Sequence, residues 1–323
     1  MKKLLVTLAF GTAALASQAQ EVVTLKLGHV LTPASHYHAV AEKLAEVAAA
    51  QSKGTLKIEI FPSGQLGGEV KMIQSARTGV LPLVVTGEPP LENTIKEYGI
   101  FSLPYLFKSV DAANGALQGP FGKHMLSYMD KYGLTGLGWI SVLERNMYGT
   151  KKVQNVGDMK GTKIRVIQSP GYVKAYEALG AQPTPMAYSE VFMALQTGVV
   201  DAGEASPDQI IQDKFVEVTK FYNMIKIHYM PAVLLMSKSS FDGLSREHQA
   251  IMRSAADQAV KHGIAVYKAG YQDGMKQMKA AGVTIVEPDL TGFHKATEVI
   301  YAPLISGIPD GQKNVDAARA AAR

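Results

Sequence analysis

Between residues 24 and 86 the chain switches hydrophobic period four times, and this alternation limits the fold more than any other feature. TLKLGHV (24–30) reads as a strand, residues 35–51 carry Val40, Leu44 and Val47 at helical spacing, and TLKIEIF (55–61) is strand again. A second helix is expected over 69–78, stopped by Gly79 and followed by the apolar run LPLVV (81–85). Parallel strands need a crossover about as long as a helix, so this order calls for a parallel sheet covered by helices.

The rhythm returns later. GTKIRVIQSPG (161–171) leads from a strand into a helix expected over 171–179. A later helix ending LQTGV (195–199) leads through a strand to Gly203 and Glu204, as the helix ending ARTGV (76–80) leads to Gly87 and Glu88. Gly79 and Gly198 both fit the left-handed position after a helix end. Two similarly built lobes suit this repetition better than one continuous sheet. Residues 244–282 are a nearly unbroken helical stretch containing Gly263, Gly270 and Gly274. At about 1.5 Å per residue it covers more than ~50 Å, enough to run along both lobes, and a glycine offers a place to bend. The tail NVDAARAAAR (314–323) also reads as helix, and no low-complexity linker separates one half from the other, so the lobes are expected to exchange chain segments.

The first residues, MKKLLVTLAFGTAALASQAQ, combine two lysines, a short apolar stretch and small residues near Ser17 to Ala19, the pattern of an export leader over 1–20. No later run approaches the roughly 18 apolar residues of a membrane span. The remaining length, about 303 residues, is enough for two cores and hence a cleft between them. Without Lys2 and Lys3 the formal charge of +5 falls to +3, with basic and acidic residues interspersed, which gives no footing for nucleic acid. The absence of cysteine removes disulfides, thiolate catalysis and cysteine metal sites together.

Motifs for chemistry are missing. There is no GxSxG, no HExxH and no GxGxxG after a strand, and GPFGKHM (119–125) lacks the Ser or Thr that should follow Lys123 in a phosphate loop. No cofactor is expected. His36 and His38 lie two residues apart at a helix start and so point about 200° apart, which argues against a shared metal ion. The same segment joins the C-terminal end of a strand to a helix start, where open α/β sheets bind ligands. His29, His36 and Tyr37 are therefore candidate cleft residues, although an ordinary loop fits the same pattern. Arg165 interrupts a run of branched apolar residues; it shares a strand face with Lys163 and Ile167, opposite Ile164 and Val166. A solvated face is the plain reading. A buried guanidinium, by contrast, would need an anion. Arg145, in SVLERNMYGT (141–150), has an equally plain reading as a salt bridge to Glu144.

Four runs together resemble the solute-binding proteins of tripartite ATP-independent periplasmic (TRAP) transporters, the DctP-type family. They are FPSGQLGGEVKMIQSARTG (61–79), FSLPYLF (101–107), GDMKGTKIRV (157–166) and GAQPTPMAYSEVFMALQTGVVDAGE (180–204), and the likeness covers the mature chain in order. The resemblance implies a two-lobed α/β periplasmic binding protein fold with mixed sheets, crossing strands and a long spanning helix. The expected division is residues 21–142 with 231–270 in lobe I, and 143–230 with 271–323 in lobe II. It further implies capture, without catalysis, of a small organic acid by a periplasmic monomer that delivers it to TRAP membrane permease subunits. Arg165 matches the family arginine that holds the ligand carboxylate through paired hydrogen bonds, and Arg145 matches a second arginine before the inter-lobe crossing.

Departures bear on the ligand. Ala205 stands where many members carry Asn, while Glu88 is shifted by one and Pro90 replaces arginine relative to sialic acid binders. Glu88 and Glu204 could accept hydrogen bonds from ligand hydroxyls, with Gln168, Tyr172 and Tyr188 as further liners. The expected ligand is a sugar acid such as glucuronate or galacturonate. A hydroxy- or keto-dicarboxylate, or an aromatic acid, is the alternative, ahead of a metal-capturing protein or a secreted carboxylate-processing enzyme.

Overall fold

The computed structural model describes residues 22–323; the expected leader over 1–20 lies outside the described residues. The chain opens with β1 (Val23–Gly28), α1 (His36–Gln51), β2 (Leu56–Phe61), α2 (Glu69–Arg77) and β3 (Leu83–Gly87). β1 lies between β2 and β3 and runs parallel to both, the arrangement that the alternating periods require. Ser35 caps α1 by accepting the His38 N–H at 3.3 Å, and Val40, Leu44 and Val47 lie on its buried stripe. Gly79 and Gly198 take φ of +81° and +73°, as helix ends of this kind need.

Two helices, α3 (Val110–Gln118) and α4 (Pro120–Ser127), precede β4 (Leu134–Gly149). The second group follows as β5 (Lys163–Val166), α5 (Pro170–Ala178), β6 (Gln182–Pro185), α6 (Val191–Gln196), β7 (Ala202–Ala205) and α7 (Pro207–Gln212). The chain returns through β8 (Phe221–Ser237) and α8 (Lys238–Asp242) into α9 (Arg246–Ala280). It ends with β9 (Thr284–Val286), α10 (Thr291–Glu298), α11 (Tyr301–Ser306) and α12 (Gly311–Ala321).

The strands of the described residues hydrogen-bond in the order β2-β1-β3-β8-β4-β7-β5-β6, with β9 on β8. β4 and β8, of 16 and 17 residues, are long enough to reach roughly 50 Å and pair antiparallel with each other. β3 pairs with Ala232–Met236 at one end of β8, whereas β7 pairs with Asn146–Gly149 at the far end of β4 and β9 with Phe221–Asn223. The two groups of short strands therefore hang from opposite ends of one crossing pair, which makes two lobes from a single mixed sheet. Register slips between Arg145 and Met147. There Lys226 takes φ +48° and donates its N–H to Asn146 Oδ1 at 2.8 Å.

α9 is an unbroken helix of 35 residues that packs on α1, β4 and α7. Its glycines serve close approach. A Cβ at Gly263 would lie 2.4 Å from Val40 Cγ2, and one at Gly274 would lie 2.6 Å from the Pro207 carbonyl carbon. α10 packs on α5, but α11 and α12 return to residues 96–102, α3 and α4. Leu304, Val315 and Ala318 bury in one core with Phe101, Phe121 and Trp139. These last helices thus depart from the division that placed all of 271–323 in the second lobe.

Gly274→Ala should destabilise the protein by about 1–3 kcal/mol, because backbone must shift to admit the methyl group. Gly270→Ala, whose Cβ would meet only Asp208 Cβ at 3.4 Å, should instead stabilise it by about 0.5–1 kcal/mol through helix propensity. Denaturant midpoints of the two variants check the opposite signs.

Candidate functional site

Arg165 sits on β5, where Ile164 and Val166 face the core and are fully buried. Strand alternation turns Arg165 to the other face, and there the expectation of a solvated face fails: Arg165 is only 2 % exposed, because the first lobe covers that face. Its Nε and Nη2 donate to the Met186 carbonyl at 3.2 and 2.9 Å, and the Tyr188 ring lies 5.8 Å from the guanidinium carbon. No carboxylate of the described residues stands within ion-pair distance. Burial pulls the pKa of Arg165 below its ordinary value, and nearby Arg145 adds to the effect. Arginine nevertheless keeps its proton. The result is a buried positive charge whose only hydrogen-bond partner among the described residues is one carbonyl.

Arg145, on β4, is the opposite case. Its Nε lies 3.5 Å from Glu204 Oε1, Nη1 donates to Gln209 Oε1 at 2.8 Å, and Nη2 donates to the Glu204 carbonyl. The expected partner Glu144 is not used; that carboxylate accepts from Asn146 and Tyr271 instead. Glu204 Oε2 accepts from Tyr176 OH at 2.9 Å and lies 3.5 Å from His228 Nδ1. Burial pushes the Glu204 pKa up, but Arg145, with His228 and Tyr176 assisting, outweighs it and holds the carboxyl below its usual range. Arg145 is therefore neutralised within the chain.

Both arginines border one cavity between the lobes, which also meets Glu69, Tyr37, Tyr188 and Gln209 along with Leu31 and Met230. Its volume is about 20 Å³, room for roughly one water molecule. Glu69, the first residue of α2, turns Oε1 toward Thr86 Oγ1 and the Gly87 N–H at 2.9 and 3.0 Å. Burial raises its pKa, and those two hydrogen bonds oppose the shift.

Of the residues singled out from sequence, the structure brings Arg165, Arg145, Tyr37 and Tyr188 to this cavity. Glu204 stands behind Arg145. Glu88 is fully buried away from the cavity, neither of its oxygens has a hydrogen-bond partner, and burial followed by Glu92 pushes its pKa far up. Tyr172 stacks on His228 with ring centroids 3.9 Å apart. His36 turns inward to Asp208, with Nδ1 3.3 Å from Oδ2. His29 Nε2 pairs with His38 Nδ1 at 3.1 Å, and burial, with His38 and His36 adding, pushes its pKa down to about 3. Gln168 is exposed, and its carbonyl accepts from Asn93 at 2.7 Å. Glu69 and Gln209 were missed. Glu69 carried the same signal as His36, a helix start after a strand; Gln209 reads only as the third residue of a helix capped by Ser206.

The family model for bacterial extracellular solute-binding proteins, family 7 (DctP), matches residues 27–306. The chain belongs to this family. Three solved structures show what it is similar to. A TRAP periplasmic solute-binding protein from Polaromonas sp. JS666, bound to D-erythronate, is 32 % identical with a TM-score of 0.89, the match covering 92 % of this chain and 98 % of that one. The sugar acid binding protein of Advenella mimigardefordensis in complex with galactonate is 28 % identical with a TM-score of 0.90 over 93 % and 99 % of the two chains. A TRAP solute-binding protein from Citrobacter koseri with bound D-glucuronate is 30 % identical with a TM-score of 0.88 over 92 % and 99 %.

The unequal state of the two arginines has a stability signature in this DctP-type protein without ligand. Arg145→Met should destabilise it by about 3–5 kcal/mol, since Glu204 would remain buried without its counter-charge. Arg165→Met should leave the melting temperature at or above that of the wild type, since an unpaired buried charge is removed. Thermal melts of the ligand-free variants check both.

Proposed function

We propose that this DctP-type protein captures a small polyhydroxylated monocarboxylate in the periplasm, a sugar acid such as glucuronate or galacturonate, and delivers it to TRAP membrane permease subunits. The observation that carries this reading is the Arg165 guanidinium, buried against the inter-lobe cavity without an anion. A guanidinium has five N–H donors, and Met186 engages only two of its donor groups. A ligand carboxylate fits the remaining fork in shape and charge.

Charge counting supports one carboxylate rather than two. Glu204 already neutralises Arg145, so Arg165 is the one uncompensated cation of the pair. Arg145 then acts as a positioned donor and as electrostatic support, and Glu204 acts through Arg145. Glu69, Gln209, Tyr37 and Tyr188 are the hydroxyl-reading groups, with Glu69 preferring donors. The relatives crystallised with erythronate, galactonate and glucuronate support the same chemistry. On this reading Glu88, His29, His36, Gln168 and Tyr172 shape the lobes without touching the ligand. A cavity of about 20 Å³ cannot admit a six-carbon acid as it stands, so entry requires the lobes to part along the crossing strands.

Isothermal titration with D-glucuronate, galactonate and succinate tests the proposal. The sugar acids should bind more tightly than the dicarboxylate. Arg165→Ala should cost about 2–5 kcal/mol of binding free energy, and Arg165→Lys a large part of that, because a point charge cannot reproduce the fork. Unchanged affinity in both variants would remove Arg165 from the site.

A further inference from the structure

A second cavity, of about 270 Å³, opens on the reverse side of β4, between the start of α3 and the middle of α9. Glu144 belongs to it. This residue precedes Arg145 on the strand, so the two side chains project to opposite faces. Glu144 is 8 % exposed. Its Oε1 accepts from Asn146 Nδ2 and Tyr271 OH, both at 2.8 Å, and its Oε2 has no hydrogen-bond partner among the described residues. Asn114 Oδ1, on α3, is a buried acceptor without a partner. Tyr267 and Tyr271 form the α9 wall, their ring centroids 6.2 Å apart and their planes inclined at 67°, and Val110 lies at the α3 rim.

These groups share one preference. A free carboxylate oxygen, an unmatched amide oxygen and two electron-rich rings all favour a positively charged group, and the volume suits a small molecule. Lys268 also borders the cavity, yet it is exposed and reaches no carboxylate within ion-pair distance, so it competes for the position without filling it. We propose that this cavity is a second binding site, which takes a small organic ammonium ion with its charge on Glu144. The site is tied to the crossing strands: Glu144 holds Asn146, and Asn146 in turn accepts the Lys226 N–H where β4 and β8 change register.

Choline is a suitable probe, titrated by ligand-observed NMR into the whole protein. Saturable binding is expected in the wild type, at least tenfold weaker binding in Glu144→Gln, and tighter binding in Lys268→Ala, which removes the competing cation. Val110→Trp, which blocks the rim while leaving every hydrogen bond of Glu144 in place, should also abolish binding and decides the matter if Glu144→Gln does not fold. Melting temperatures establish which variants are folded. No saturable binding of choline by the wild type at millimolar concentration would overturn the proposal, and so would wild-type affinity in folded Glu144→Gln or Val110→Trp.

Discussion

A guanidinium taken out of water and left without an acid is the constraint on which the rest of this structure turns. Desolvating such a group costs several kcal/mol, which one carbonyl does not return. Arg165 is in that state, whereas Arg145, on the strand beyond β7, is held by Glu204, Gln209 and a carbonyl. The difference between the two leaves one guanidinium of the groove without an ion pair. In low-dielectric surroundings an incoming carboxylate is attracted more strongly than it would be in water. On the proposed function, parting and rejoining the lobes would change how much water stands between the two charges, which would couple capture to closure.

The architecture exists to place that charge. β4 and β8 are long because they serve both lobes, and each lobe adds its own parallel group at one end. The cavity draws Tyr37, Glu69 and Gly87 from the first group and Arg165, Ile167 and Tyr188 from the second. Neither lobe alone makes the site. α9 runs alongside as a continuous brace, and its glycines let α1 and the start of α7 approach the helix backbone.

Local order was legible in the sequence wherever a residue's preference is settled by its neighbours in the chain. The stripe of Val40, Leu44 and Val47, glycines after helix ends and the change from period 2 to period 3.6 each act over a few residues, and each appears where it was read. What could not be read was the identity of whatever covers a face. Alternation puts Arg165 opposite Ile164 and Val166 but says nothing about whether water or another lobe lies there. His36 and Tyr37 are adjacent at one helix start, yet one turns to Asp208 and the other to the cavity, a distinction set by the packing of α7 and α9. Glu88 and Tyr172 are close in sequence to cavity residues and are nevertheless buried behind them. The return of α11 and α12 to the first lobe depends on a long-range core that no local pattern encodes.

The central claim is that charge on the ligand is read by charge on Arg165. The most direct measurement compares the affinities of D-glucuronate and its neutral amide, in the wild type and in Arg165→Ala. The account predicts that the acid binds the wild type at least ~100-fold more tightly than the amide, a difference of about 3 kcal/mol, and that this gap largely closes in the variant. An amide bound as tightly as the acid, or a gap that survives the loss of Arg165, would contradict it.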